Sequence, residues 1–242
     1  MNRENLLFSL VGIGFGLFFG FGFASWANMQ AGATLTGDSL SDQSQLPSNA
    51  VADQGRLETA AQLAVKRARE NSSDYEAQMN AARTSFQTER VDDTLEFLLR
   101  ANALQPDNLE PVIALANVNY DSGNYTAAEK WYTAALARKP DDINLRTELG
   151  LTFLQRNPPD NERALAEFRR TLQLDPKHEL ALESLVLALT RKGDKTEARA
   201  ALARLESVNP SNAALPQLRS GLDKDSGSSR DDAGKNGAGR KS

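Results

Sequence analysis

The sequence contains no cysteine and a single histidine, His178. The first absence removes disulfides, thiol nucleophiles and thiolate-bound metal, while leaving the redox compartment open. The second removes any metal site built from several imidazoles. There is no excess of positive charge either. The formal net charge is −4, whereas general nucleic-acid binders present a basic surface. No glycine-rich phosphate loop opens a helix. The glycines from Gly12 to Gly22 lie inside an apolar run, which is the wrong context for a nucleotide fingerprint. His178 follows Pro176 with no serine or second histidine nearby in sequence, and reads as a solvated turn residue. Asp92-Asp93 and Asp141-Asp142 fall at turns between helical patterns, where aspartate caps helices. Asp231-Asp232 lies in a polar tail. The pattern predicts a chain without catalytic residues, metal or cofactor, and without nucleic acid as a partner.

What is present begins with Leu6–Ala27, LLFSLVGIGFGLFFGFGFASWA. It carries no charge and has the length of a bilayer-spanning helix. Trp26 stands where an interfacial aromatic belongs. The run exceeds the apolar core of a secretory signal, which predicts an uncleaved anchor. Ser25-Trp26-Ala27 and Ala31-Gly32-Ala33 resemble small-residue cleavage sites, so a cleaved signal is the alternative. Arg3 is the only basic side chain beside the span, and Asp38, Asp42 and Asp53 come after it. The positive-inside rule therefore predicts a cytoplasmic tip (1–5) and a remainder outside the cytoplasm, periplasmic in a bacterium. Gly12, Gly16 and Gly20 share one helix face, where close backbone approach would pair two anchors into a homodimer. A merely glycine-rich anchor accounts for them equally well.

Residues 28–50 are Gln/Ser/Gly/Thr-rich and read as a flexible linker. From about Asp53 the stripe Leu57, Ala60, Ala61, Ala64, Val65, Ala68 predicts a packing helix within 51–74, covering the open edge of a helical array. The array shows as a period. Pro106, Pro140, Pro176 and Pro210 are spaced 34, 36 and 34 apart. In the best-formed unit, Val112, Leu115, Ala116 and Val118 recur at helical spacing before a turn at Asp121–Asn124. Ala127, Ala128, Trp131, Tyr132, Ala135 and Leu136 do so after it. Asn157–Asn161 explains the longer third unit. The predicted units are 75–108, 109–142, 143–178 and 179–212, with a closing helix over 213–222. Residues 223–242 have no apolar side chain larger than alanine, which predicts disorder.

These residues resemble the tetratricopeptide repeat family, whose 34-residue helix hairpins commonly end in proline. Leu115, Ala116, Gly123, Tyr125, Ala128, Tyr132, Ala135 and Pro140 fall at its signature positions. So do Leu149, Gly150, Phe153, Ala164, Phe168 and Pro176 in the third unit. Leu185, Leu189, Gly193, Ala198, Leu202 and Pro210 do the same in the fourth. The first unit fits through Ala81, Ala82, Leu98, Ala101 and Pro106. It departs at Thr94, where alanine is usual, and at Ser85, where an aromatic is. The resemblance implies an all-α, right-handed α-solenoid that binds proteins or peptides. Its first helices would line a concave groove carrying Met79, Arg83, Phe86, Ile113, Asn117, Tyr120, Asp121, Leu151, Leu154, Glu183, Leu187 and Arg191. The alternative for some of these, Leu151 and Leu187 above all, is packing against the next unit. Family members that clamp acidic chaperone tails place lysine and asparagine on the first groove helix. Met79 and Arg83 stand there instead, and Glu148 replaces a later asparagine, which argues against that clamp. The layout of anchor, linker and repeats is similar to bacterial envelope members of the family. Among these are c-type cytochrome assembly factors and subunits attending the export channel. A scaffold in envelope-complex assembly is therefore expected, or alternatively a cleaved periplasmic subunit of a multiprotein assembly.

Overall fold

The computed structural model describes residues 46–227, with side chains from 54 to 223. The expected anchor Leu6–Ala27, its Gly12, Gly16 and Gly20, and residues 228–242 lie outside them. Among the described residues no helix is long and apolar enough to cross a membrane. Ten helices succeed one another there: α1 Leu46–Glu70, α2 Tyr75–Gln87, α3 Val91–Leu104, α4 Leu109–Asp121 and α5 Tyr125–Arg138, then α6 Ile143–Gln155, α7 Asn161–Leu174, α8 Glu179–Lys192, α9 Lys195–Val208 and α10 Leu215–Gly227.

Short polar residues set where these helices begin. Asp74, Asn108, Asp142, Asp160 and Asp194 each accept a hydrogen bond from a backbone N–H in the first turn of the next helix. Such caps contribute about 1 kcal/mol apiece. His178 does the same for α8: its Nδ1 accepts from Ala181 N at 3.2 Å. Only a neutral imidazole can accept there, and burial lowers the His178 pKa below its usual value, partly offset by Asp175. His178 is thus a helix cap and not the solvated turn residue its sequence setting suggests.

Two boundaries differ from the sequence pattern. The linker expected over 28–50 gives way to helix at Leu46, because Pro47 falls in a first turn, where its missing N–H costs nothing. The closing helix begins two residues later than 213 and runs five residues past 222. Asn212 delays its start by accepting from Ala214 N at 2.8 Å. Its Leu215 and Leu222 are buried. Beyond Leu222 no residue breaks the helix before Gly227, so the backbone ladder continues.

The chain forms two compact units, divided between Trp131 and Tyr132 within α5. In the first unit, α1 packs on α2, α2 on α3 and α3 on α4. Val65 and Ala68, Met79, Ala81 and Ala82, Phe97, Leu98 and Ala101, and Leu115 and Val118 form one core cluster. The two departures from the repeat signature, Ser85 and Thr94, are both fully buried. Thr94 Oγ1 satisfies itself by donating to Arg90 O at 2.8 Å, so a small polar residue serves in alanine's place. Gly123 ends α4 at φ +74, and one repeat earlier Glu89 adopts φ +57. The turn geometry is repeated even where glycine is not, against a steric cost of about 1–2 kcal/mol.

In the second unit, α6 packs on α7, α7 on α8, α8 on α9, and α10 closes over α8 and α9. Gly150 of α6 faces the Phe168 ring of α7. A Cβ at Gly150 would lie 2.5 Å from a ring carbon, so glycine is required by the close approach. Arg146 and Glu167 bridge the same pair of helices at 2.7 Å.

Candidate protein-binding face

Each functional side chain is placed by the helix that carries it. On α4, most residues after the first turn are buried. Ile113, Asn117 and Tyr120 are the ones left half-buried, with Asp121 exposed at the end. The spacing i, i+4, i+7 puts the first three on one stripe. On α2, Arg83 and Phe86 are half-buried, and Phe86 leans on the core cluster. These five half-buried residues on α2 and α4 combine apolar side chains with an amide and a guanidinium. Tyr120 meets Tyr125 of α5 edge to face, ring centroids 5.6 Å apart.

Three residues expected in the groove are core instead. Met79 is 1% exposed and belongs to the first unit's cluster; Leu151 and Leu154 are each 2% exposed in the second. For the latter two, α6 is enclosed along the stretch Leu149–Leu154. Its partners α7 and α8 take up its apolar surface, so nothing remains for a ligand. Leu187 is half-buried on α8 and keeps some surface.

The polar members of the second unit hold the fold together. Arg191 Nη1 donates to Leu154 O at 3.1 Å, closing the C-terminal end of α6. Glu183 Oε1 accepts from Asn212 Nδ2 at 2.6 Å, and Glu179 Oε2 accepts from the same amide at 3.0 Å. Burial raises the Glu183 pKa, with the Asn212 bond opposing it. These contacts tie α8 to the turn before α10.

Sequence reasoning misses two residues near the site. Tyr125 reads as a signature position alone, yet it forms the wall beside Tyr120. Tyr75 binds across the start of the first repeat: its hydroxyl donates to Glu110 Oε2 at 3.4 Å and accepts from Asn108 Nδ2 at 3.0 Å. Burial and the Glu110 charge push its phenol well above the usual range. Only the spacing of that pair, one repeat apart, hints at such a contact.

The acid pairs among the described residues take part in caps and ion pairs, while Asp231-Asp232 lies outside them. Asp142 accepts from Asn144 N and Leu145 N, both at 3.1 Å. Asp93 pairs with Arg90 and Arg69. A cleft of about 470 Å³ beside α1 is lined by Gln62, Val65, Lys66, Arg69, Glu70 and Arg90. Its cations already pair with carboxylates of Asp93, Glu58 and Glu70.

Helix hairpins capped and closed in this way define a repeat protein whose helices offer side-chain stripes for binding. The tetratricopeptide repeat family model matches residues 93–143, 113–158 and 148–217, more than half of the chain, so the chain belongs to that family. Among solved structures it is similar to YrrB, a TPR protein with an unusual peptide-binding site. The TM-score is 0.59 at 18% identity, over 71% of this chain and 88% of that one. It is also similar to MamA of Desulfovibrio magneticus RS-1 (TM-score 0.58, 18% identity, 68% and 92% of the two chains). MamA AMB-1 gives 0.56 at 21% identity, covering 70% and 91%. No curated protein matches it in sequence.

Proposed function

We propose that the chain is a membrane-anchored adaptor that holds a partner protein by an extended or helical segment laid across α2 and α4. The observation that carries this is the α4 stripe. In a helix mostly buried after its first turn, Ile113, Asn117 and Tyr120 keep surface available, as do Arg83 and Phe86 on α2. Large apolar groups gain nothing from facing water, and interfaces draw most of their energy from a few aromatic anchors. Asn117 can donate to and accept from a peptide backbone. A shared fold with YrrB, which has a peptide-binding site, supports the ligand class. Membership of the tetratricopeptide repeat family supports a binding role and not a catalytic one.

Tyr120→Ala should weaken crosslinked capture of the partner from intact membranes, and Phe86→Ala with Tyr120→Ala should weaken it tenfold or more, about 1.4 kcal/mol per decade. Phe86 also packs on the core, so the double variant will lose some stability, and its helical circular-dichroism signal must be intact for capture to count. Undiminished capture by the folded variants would remove the proposed surface.

Anchoring rests on the uncharged run Leu6–Ala27, and orientation on Arg3. A reporter active only in the cytoplasm, fused after Asp223, should stay silent. A strong signal would reverse the topology. The Ser25-Trp26-Ala27 and Ala31-Gly32-Ala33 sites favour a second reading, a cleaved subunit of an extracytoplasmic assembly. In that case the mature chain, weighed by mass spectrometry, begins near Asn28 or Thr34.

A further inference from the structure

We propose that Asp121, Tyr120 and Tyr125 form a receptor for one basic side chain, a lysine ammonium or an arginine guanidinium, of the segment bound on α2 and α4. The receptor rests on the adaptor reading and adds to it the chemistry of the partner. Asp121 is the last residue of α4, at the helix end where backbone carbonyls disfavour an anion. The residue is exposed overall, yet the protein crowding its carboxyl strips enough hydration to raise the pKa to about 6. Among the described residues no ion pair or hydrogen bond compensates this. Nor does the turn need the carboxylate. Gly123 N donates to Tyr120 O at 2.9 Å and Asn124 N to Asn119 O at 2.8 Å, so backbone alone closes α4. An aspartate that neither caps nor pairs, placed where its charge is disfavoured, suits a ligand and not the fold.

The ligand's sign comes from the neighbours. Tyr120 and Tyr125 stand at 70° to one another. Burial raises the pKa of the Tyr125 phenol, and the Asp121 charge adds to it. A carboxylate with no ion pair of its own, beside two tyrosine rings packed edge to face, attracts a cation and repels an anion. A neutral ligand would leave the carboxylate dehydrated and unpaired. The stripe Ile113–Asn117–Tyr120 leads to this corner, so a bound segment would place apolar residues along α4 and its basic residue at the end.

The test is a degenerate peptide array probed with the full chain. One position is fixed in turn as lysine, arginine, glutamate or norleucine, and a peptide of residues 228–242 is included, since that tail carries Arg240 and Lys241. Lysine and arginine sets should retain roughly fivefold more protein than norleucine, the order expected for a cation at aromatic rings. Asp121→Asn should abolish that ratio while apolar selection persists. Apolar selection without a basic preference, or a basic preference unchanged in Asp121→Asn, would overturn the receptor and leave the adaptor reading standing. No peptide bound at all would overturn both. Selective capture of the 228–242 peptide alone would make the occupant the chain's own tail and refute a partner.

Discussion

Gly150→Ala should lower the stability of the second unit by about 1–3 kcal/mol. Intrinsic preference points the other way, since alanine exceeds glycine in a helix interior by about 1 kcal/mol. Packing decides the sign. The added Cβ would sit 2.5, 2.9 and 3.0 Å from three carbons of the Phe168 ring. That ring is fully buried, as are its α7 neighbours Ala164 and Leu165, so it has no open space to swing into. Either the ring leaves its rotamer or α6 and α7 move apart, and the second strains the Arg146–Glu167 bridge. Denaturant unfolding measures the loss. Phe168→Leu alone should also destabilise, by leaving a cavity. Combined with Gly150→Ala it should cost less than the sum, because the alanine then fills space the ring vacated. A more stable Gly150→Ala protein would show that the ring yields freely and that the close approach is not what selects glycine.

The same helices show how far the sequence could be read. The proline period and the small residues Ala82, Ala116, Gly150 and Ala198 locate the hairpins, because those positions depend on local contact between the two helices of one unit. The turn at Gly123 is legible for the same reason. Its counterpart at Glu89 is not, since glutamate gives no sign of a left-handed conformation. The binding face is legible only in part. Helical phase groups Ile113, Asn117 and Tyr120, which are half-buried on one stripe, but it assigns the buried Met79, Leu151 and Leu154 to the same surface. Phase says which way a side chain points. It does not say whether a neighbouring helix already occupies the space in front, and for Leu154 that neighbour is α8, whose Arg191 crosses to its carbonyl. Roles set by contacts between the two ends of a repeat, such as the Asn212 amide on Glu179 and Glu183, join residues far apart in sequence and leave no local mark. Asp121 is a case of the opposite kind. In sequence it is one more turn aspartate, and only the structure shows that it neither caps nor pairs, unlike Asp142, which caps.

Ala128→Leu should destabilise the first unit by about 1–3 kcal/mol, while Thr126→Leu should change little. Both substitutions place leucine on α5, two residues apart, and helix propensity separates them by less than about 1 kcal/mol, in favour of Thr126→Leu. Burial separates them further. Ala128 is fully enclosed, whereas Thr126 is exposed. In this family that alanine marks where the two helices of a hairpin approach most closely, and Ala128 N holds the helix start through Asn124 O at 2.9 Å. The extra carbons of leucine have no volume to enter there without moving a helix, because interiors are packed to crystal density. At Thr126 the leucine projects into water and loses only its own solvation. Thermal melts of the two variants are the direct comparison: a fall of several degrees is expected for Ala128→Leu alone. Equal melting temperatures would mean that the helix face assigned to Ala128 is wrong. The register of the α4–α5 hairpin, and with it the Tyr120–Tyr125 corner, would then have to be redrawn.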